Sequence, residues 1–183
     1  NMFPSELHIF VRPEIKSLSD LAGKKVNFNS QGTAAAYSGP LIFSRLGIDI
    51  DKTFIPHQVA LDQMRKGEMA AVVFITSKPV DAFVKGRFEA GFKFLPVPYD
   101  SKFEDYYLPS ALDAADYPNL IKQGDHVATI AVPTALVAVV DNQEVGYVAA
   151  VAERVVDPGG RLPALREEQA ERARTVAVLR RLL

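Results

Sequence analysis

Cysteine and tryptophan are both absent from this chain. Without cysteine there are no disulfides, no thiolate nucleophile and no cysteine-ligated zinc. Histidine is scarce. His8, His57 and His126 lie far apart, and none stands at a metal-ligand spacing such as HxxxH. Structural or solvent roles are the reading for all three. Neither sign of charge is in excess: 21 basic and 22 acidic residues leave a formal net charge of -1. That balance gives no broad electrostatic footprint for nucleic acid, and Arg180-Arg181 is too small a patch to supply one. No apolar run approaches the roughly 18–20 residues of a membrane span. The longest, 127–140, is interrupted by Pro133. The chain carries no GxSxG elbow, no P-loop, no internal repeat and no signal-peptide pattern at its start.

What is present is strand–helix alternation. A chain of 183 residues holds one good domain or two small lobes. Leu7-His8-Ile9-Phe10-Val11 is a β-prone run. Ser17-Leu18-Ser19-Asp20-Leu21 offers cap residues for a short helix, which Gly23 suits as an end. Lys25-Val26-Asn27-Phe28 alternates as a strand. A helix follows over 33–46, ending at Gly47, with Gly39-Pro40 inside it as a kink or a fresh start. Residues 53–59 are expected as a strand and 60–66 as a helix closed by Gly67. The continuous apolar run 70–75 suits a strand buried on both faces. Pro79 fits the first turn of a helix through Phe83, and 93–98 is another strand. The stretch 99–126 is less regular. Residues 127–140 read as one long strand, 143–156 and 166–183 as helices, with Asp157-Pro158-Gly159-Gly160 between. From 153 onward every basic residue is arginine, whereas lysine dominates before it. Such a shift marks a boundary or a differently constrained tail.

Two turns stand out chemically. Ser30, Gln31, Gly32 and Thr33 leave one strand and open a helix. Gly32 permits a tight turn and a close ligand approach, while Ser30 and Thr33 offer hydroxyls beside free backbone N–H groups. Taken locally, Thr33 as a simple helix cap is the stronger reading. Thr76, Ser77 and Lys78 repeat the arrangement after the apolar strand, with two hydroxyls and an ammonium. The plainer alternative has Ser77 capping and Lys78 in solvent.

The order and spacing of LHIFVRPEIKSLSDLAGKKVNFNSQGTAA at 7–35, ALDQMRKGEMAAVVFITSKPV at 60–80, FKFLPVP at 92–98, YYLPSALDAADYPN at 106–119 and VATIAVPTALVAVV at 127–140 resemble one family. It is the TAXI-type solute receptors of TRAP transporters, within the type II periplasmic binding proteins. The resemblance covers residues 7–150. It implies an α/β fold with a parallel-dominated sheet flanked by helices and with antiparallel hinge strands at 7–11 and 127–140. Residues 1–140 would then be the second ligand-binding lobe, and 141–183 a helical return towards a first lobe that this chain lacks. Apolar surface meant for that lobe favours self-association.

The resemblance also implies a binding role rather than catalysis, outside the cytoplasm, with no cofactor and no metal. The ligand would be a small organic anion of the amino acid or dicarboxylate class, delivered to TRAP permease subunits in the membrane. The ligand-binding residues would be Ser30, Gln31, Gly32, Thr33, Thr76, Ser77, Lys78 and Tyr107. Tyr107 enters because a tyrosine-proline segment borders the cleft in such receptors; a packing role is as good a reading of it. The family often has small residues and glycine where Lys78 stands, so Lys78 departs from its commonest pattern; pointing inward, it would favour an acidic ligand. Other uses of this fold are a ligand-sensing domain of a regulator and an enzyme.

Overall fold

The computed structural model describes residues 4–133, 135–140 and 143–149. The chain divides into two compact units, one of them Pro4–Val132 and the other containing Pro133–Leu183.

The first unit is an α/β structure on one mixed sheet. Its opening strand β1 (Ser5–Val11) is buried along nearly its whole length. A one-turn 3-10 helix, Leu18–Leu21, follows. The Asp20 carboxylate there accepts from the backbone N–H groups of Lys16 (2.8 Å) and Ser17 (2.9 Å). Strand β2 (Lys25–Asn27) leads into the turn at 29–33, where Asn29 and Gly32 have φ of 65° and 84°. Helix α1 (Ala34–Leu46) is capped by Thr33, whose hydroxyl accepts from the Ala36 N–H, and is closed by Gly47 at φ 71°. Both ends fall where the cap residues predict. The helix continues through Pro40 as one element instead of restarting there.

Strand β3 (Asp51–Thr53) is shorter than the 53–59 reading, and α2 (His57–Arg65) starts three residues before the 60–66 one. The reason is Pro56, whose φ of -52° opens the helix. The Asn27 side chain also diverts the connector, accepting from the Ile55 N–H at 3.0 Å and donating to the Ile55 carbonyl at 3.1 Å. Strand β4 (Ala71–Thr76) occupies the predicted apolar run. A cis Lys78-Pro79 bond then precedes the short α3 (Asp81–Val84), so Pro79 lies outside the helix it was expected to start. Strand β5 (Lys93–Phe94) comes next, then β6 (Leu108–Asp113) and β7 (His126–Val132). Strand β6 falls in the stretch read as irregular. Its Pro109 disguises it in the sequence, yet an edge strand tolerates proline, and β6 ends the sheet.

The strand order is β3-β2-β4-β1-β7-β6, with β5 also on β1. The parallel part is the ladder in which β2 pairs with β3 and β4. Strand β1 runs antiparallel to β4, β5 and β7, and β6 runs antiparallel to β7. Strand β5 therefore lies antiparallel on β1 rather than joining the parallel ladder. Helices cover both faces. On one, Leu7, Ile9 and Val11 meet Val73, Ile75, Phe28 and the α1 residues Ile42 and Phe43. On the other, Phe10 meets Val72, Phe94, the α2 residues Leu61 and Met64, and Phe83 of α3. Alternation along β1 thus feeds two cores at once.

The expected long strand over 127–140 is broken at Pro133, which has no N–H to give a ladder. In the second unit, β8 (Ala135–Val140) pairs antiparallel with β9 (Gln143–Ala149). The helical reading of 143–156 gives way to strand over 143–149, where Val145, Tyr147 and Val148 favour extended backbone. The expected helix at 166–183 lies outside the described residues.

At Gly39, α1 packs directly on the residue that follows β2, and a Cβ there would overlap the fully buried ring of Phe28. Alanine favours helix over glycine by about 1 kcal/mol, but overpacking a core costs typically ~1–3 kcal/mol. Gly39→Ala is therefore expected to lower the thermal midpoint, and Phe28→Leu to recover part of the loss in the double variant. Additive effects of the two substitutions in thermal melts would show that the ring is not what excludes the methyl group.

Candidate functional site

Strand β2 pairs with β4 only as far as Asn27↔Val72. Beyond Val72 the β4 edge has lost that neighbour, and the chain between β2 and α1 swings clear of it through the two positive-φ residues. A cavity of about 280 Å³ opens in the notch. Asn29, Thr33, Ala34 and Ala35 line it from the turn and first turn of α1, Phe74, Ile75 and Thr76 from β4, and His57 from the start of α2. Thr33 and Thr76, named from the sequence on separate turns, come together here.

The chemistry of the notch follows from the cap. Thr33 donates its hydroxyl proton to the Ser30 carbonyl at 2.9 Å and accepts from the Ala36 N–H at 3.3 Å. The Tyr37 N–H takes the Thr33 carbonyl at 3.1 Å. The N–H groups of Ala34 and Ala35 are left without an acceptor among the described residues. Two free donors at the positive end of a thirteen-residue helix make an anion-binding arrangement. Among the described residues the lining includes no Lys, Arg, Asp or Glu.

His57 was not picked out from sequence, because a lone histidine without a spaced partner signals nothing. Its Nε2 stands 2.9 Å from the Val73 carbonyl, and its ring stacks on Phe74 with centroids 3.5 Å apart. Burial pushes its pKa below the usual histidine value, against the hydrogen bond to Val73.

The other expected residues sit differently. Ser30 contributes its carbonyl to the turn, while Gln31, Gly32 and Ser77 are exposed. Lys78 is directed at β6 and the turn after it. Its Nζ donates to the Ala111 carbonyl at 2.8 Å and pairs with Asp113 at 3.1 Å and Asp116 at 2.9 Å. Burial works against the ammonium, but the bonds to Asp116 and Asp113 outweigh it and hold the pKa above the usual lysine value. Tyr107 is buried against Phe103. Its ring lies 5.8 Å from the guanidinium of Arg45, in the last turn of α1, the end opposite Thr33. A wider depression of about 500 Å³ lies between Asp113 and His126. It holds none of the expected residues and no helix amino end, so the notch is the better candidate.

Beside the notch, β1 places two polar groups under cover. Glu6 is paired in register with Thr76 and His8 with Phe74. His8 is fully buried, with Nδ1 3.0 Å from the Glu6 carbonyl and Nε2 2.7 Å from the Tyr117 hydroxyl. A carbonyl only accepts, so Nδ1 carries the proton. Tyr117 in turn accepts from the Val80 N–H at 3.0 Å and donates to Nε2. Burial lowers the His8 pKa to about 4 and raises that of Tyr117 to about 12. Glu6 is also pushed up, chiefly by burial, and its Oε2 has no hydrogen-bond partner among the described residues.

No family model matches the chain, and no curated protein is similar to it. Solved structures do resemble it. One is the second substrate-binding domain of a candidate amino acid ABC transporter from Streptococcus pneumoniae Canada MDR_19A. It is 21% identical, with 50% of this chain and 40% of that one covered and a TM-score of 0.38. Another is an ancestral arginine-binding protein bound to glutamine, 22% identical over 71% of this chain and 46% of that one, TM-score 0.36. The same kind of ancestral protein bound to arginine is 22% identical over 71% and 47%, TM-score 0.37. These likenesses take in less than half the length of each of those proteins.

The buried histidine sets a pH dependence. With a folded pKa near 4 against the ordinary 6.5, His8 leaves the unfolded chain holding more protons in that window. Stability then rises with pH across it. The contribution is present above 6.5 and is lost as pH falls towards 4, on the order of 3 kcal/mol at 1.36 kcal/mol per unit. Glu6, whose pKa is raised, acts in the opposite sense: its contribution is full at low pH and fades as pH rises through its folded value. Urea unfolding followed from neutral pH down to 4 should therefore give a steep loss in the native chain and a shallower one in His8→Gln. Equal slopes would mean that His8 is not held neutral by the fold.

Proposed function

We propose that this chain is the second ligand-binding lobe of an extracytoplasmic solute receptor of the TAXI-type TRAP class. It binds a small organic anion of the amino acid or dicarboxylate class and presents it to a membrane permease. In this reading residues 1–140 are the lobe, β1 and β7 its hinge pair, and 141–183 the segment returning towards a first lobe. The role is binding, not catalysis.

The observation that carries the reading is the pair of unfilled N–H groups at Ala34 and Ala35, opening on a cavity beside the free end of a parallel strand. Ligands of open α/β sheets bind outside the carboxyl ends of the strands, and helix amino ends there favour anions. The order of sequence pieces from 7 to 150 supplies the receptor class. Affinity of this chain alone is weak in this reading, since half a cleft excludes little water.

The test keeps the cap and inverts the charge. Aspartate caps a helix as well as threonine does, so Thr33→Asp preserves α1 while placing a carboxylate where the anion would sit. Titration of the native chain with L-glutamate at millimolar concentrations should shift the Ala34 and Ala35 amide resonances. In Thr33→Asp the affinity should drop by about tenfold or more, ~1.4 kcal/mol, with the thermal midpoint kept. Binding that Thr33→Asp leaves intact would place the site elsewhere.

A further inference from the structure

His57 has a defined tautomer, and the reason is the register of the sheet. The β2–β4 ladder ends at Asn27↔Val72, so the Val73 carbonyl needs a donor from outside the sheet. His57 supplies it through Nε2 at 2.9 Å. A carbonyl offers no proton, so Nε2 carries the hydrogen. The ring is half-buried and stands at the amino end of α2, where a positive charge is unfavourable. Both favour the neutral ring, whose Nδ1 is then a bare lone pair with no partner among the described residues. Stacking on Phe74 at 3.5 Å and 20° fixes the plane of the ring. The lining of the notch thus includes the residues that carry two unfilled donors, Ala34 and Ala35 of α1, and one unfilled acceptor, His57 of α2.

We propose that His57 is a ligand-binding residue of this notch, its Nδ1 accepting a hydrogen bond from an amino or hydroxyl group carried by the bound anion. This rests on the anion-site reading above and adds a specificity to it. A bare carboxylate satisfies only the Ala34 and Ala35 donors and leaves the His57 lone pair desolvated without a partner, which costs binding. An α-amino or α-hydroxy acid offers its acceptor and its donor on neighbouring atoms and satisfies both walls. The site selects such acids over their unsubstituted counterparts.

The probes are glutarate, L-glutamate and 2-hydroxyglutarate, which share one carbon skeleton and both carboxylates. Titrated into the native chain, L-glutamate and 2-hydroxyglutarate should bind about tenfold more tightly than glutarate, ~1.4 kcal/mol. In His57→Phe, which keeps a ring on Phe74, that ratio should collapse towards unity with glutarate affinity little changed. Nitrogen NMR of the native chain gives a readout independent of how that variant folds. Nδ1 should resonate as unprotonated in the free protein and move with L-glutamate but not with glutarate. Equal binding of all three acids, an unchanged ratio in His57→Phe, or an Nδ1 that ignores L-glutamate would each overturn the proposal. In those cases shifts at the Ala34 and Ala35 amides would leave the anion site standing. Silence at those amides with every acid would remove both readings.

Discussion

Strand β4 outruns its neighbour β2, and the candidate site depends on that mismatch. Pairing stops at Asn27↔Val72, while β4 continues to Thr76. Buried backbone polar groups must find partners, so a ladder that ends early has consequences. The connection leaves the sheet through Asn29 and Gly32 in left-handed conformations, which turns the chain into α1 with its amino end over the vacated edge. The Val73 carbonyl recruits His57, which seats the start of α2 on the same edge. A cavity, a helix amino end and an oriented imidazole are thus three results of one missing strand pairing.

The opposite edge of β4 is fully paired along its length. Glu6 and His8 of β1 sit against Thr76 and Phe74 in an antiparallel ladder with no mismatch. Lys78, just past the end of β4, reaches the Ala111 carbonyl, Asp113 and Asp116. Its ammonium therefore links the end of the central strand to the sheet's far edge strand, three places away in the order. Breaking such a part-buried pair leaves an uncompensated charge, which costs more than the pair itself contributes. The same commitment takes Lys78 out of consideration as a free cation for a ligand. The sequence could not tell these apart, because Asp113 and Asp116 are remote in the chain and their approach depends on β6, an edge strand hidden by Pro109.

What was legible was local. The Thr33 cap and the Gly47 end fix α1, and the apolar run ending at Ile75 fixes β4, since cap chemistry and hydrophobic continuity act over a few residues. What was not legible was set by pairing across the sheet. The antiparallel placement of β5 on β1, the break of the long apolar stretch at Pro133, and the strand at 143–149 all depend on which neighbour is available. The same holds for the notch. Its two threonines stand out in the sequence as hydroxyls after strands. His57 does not, because its role comes from the place where another strand stops.

This division also bears on the strength and the kind of binding that the notch can offer. An anion in the notch would be attracted by helix-end N–H groups, worth about 0.3–1 kcal/mol in charge terms at an exposed end and more when enclosed. No formal cation among the described residues lines it. Selectivity there must come from geometry more than from net charge: two donors on one wall, one acceptor on another, both held by the backbone. Groups held in that way lose little freedom on binding, so each correctly matched hydrogen bond counts nearly in full. Each mismatched one leaves a desolvated partner. A site of this construction discriminates by the pattern of donors and acceptors on a small acid, and gains affinity when a second surface closes over it and excludes water.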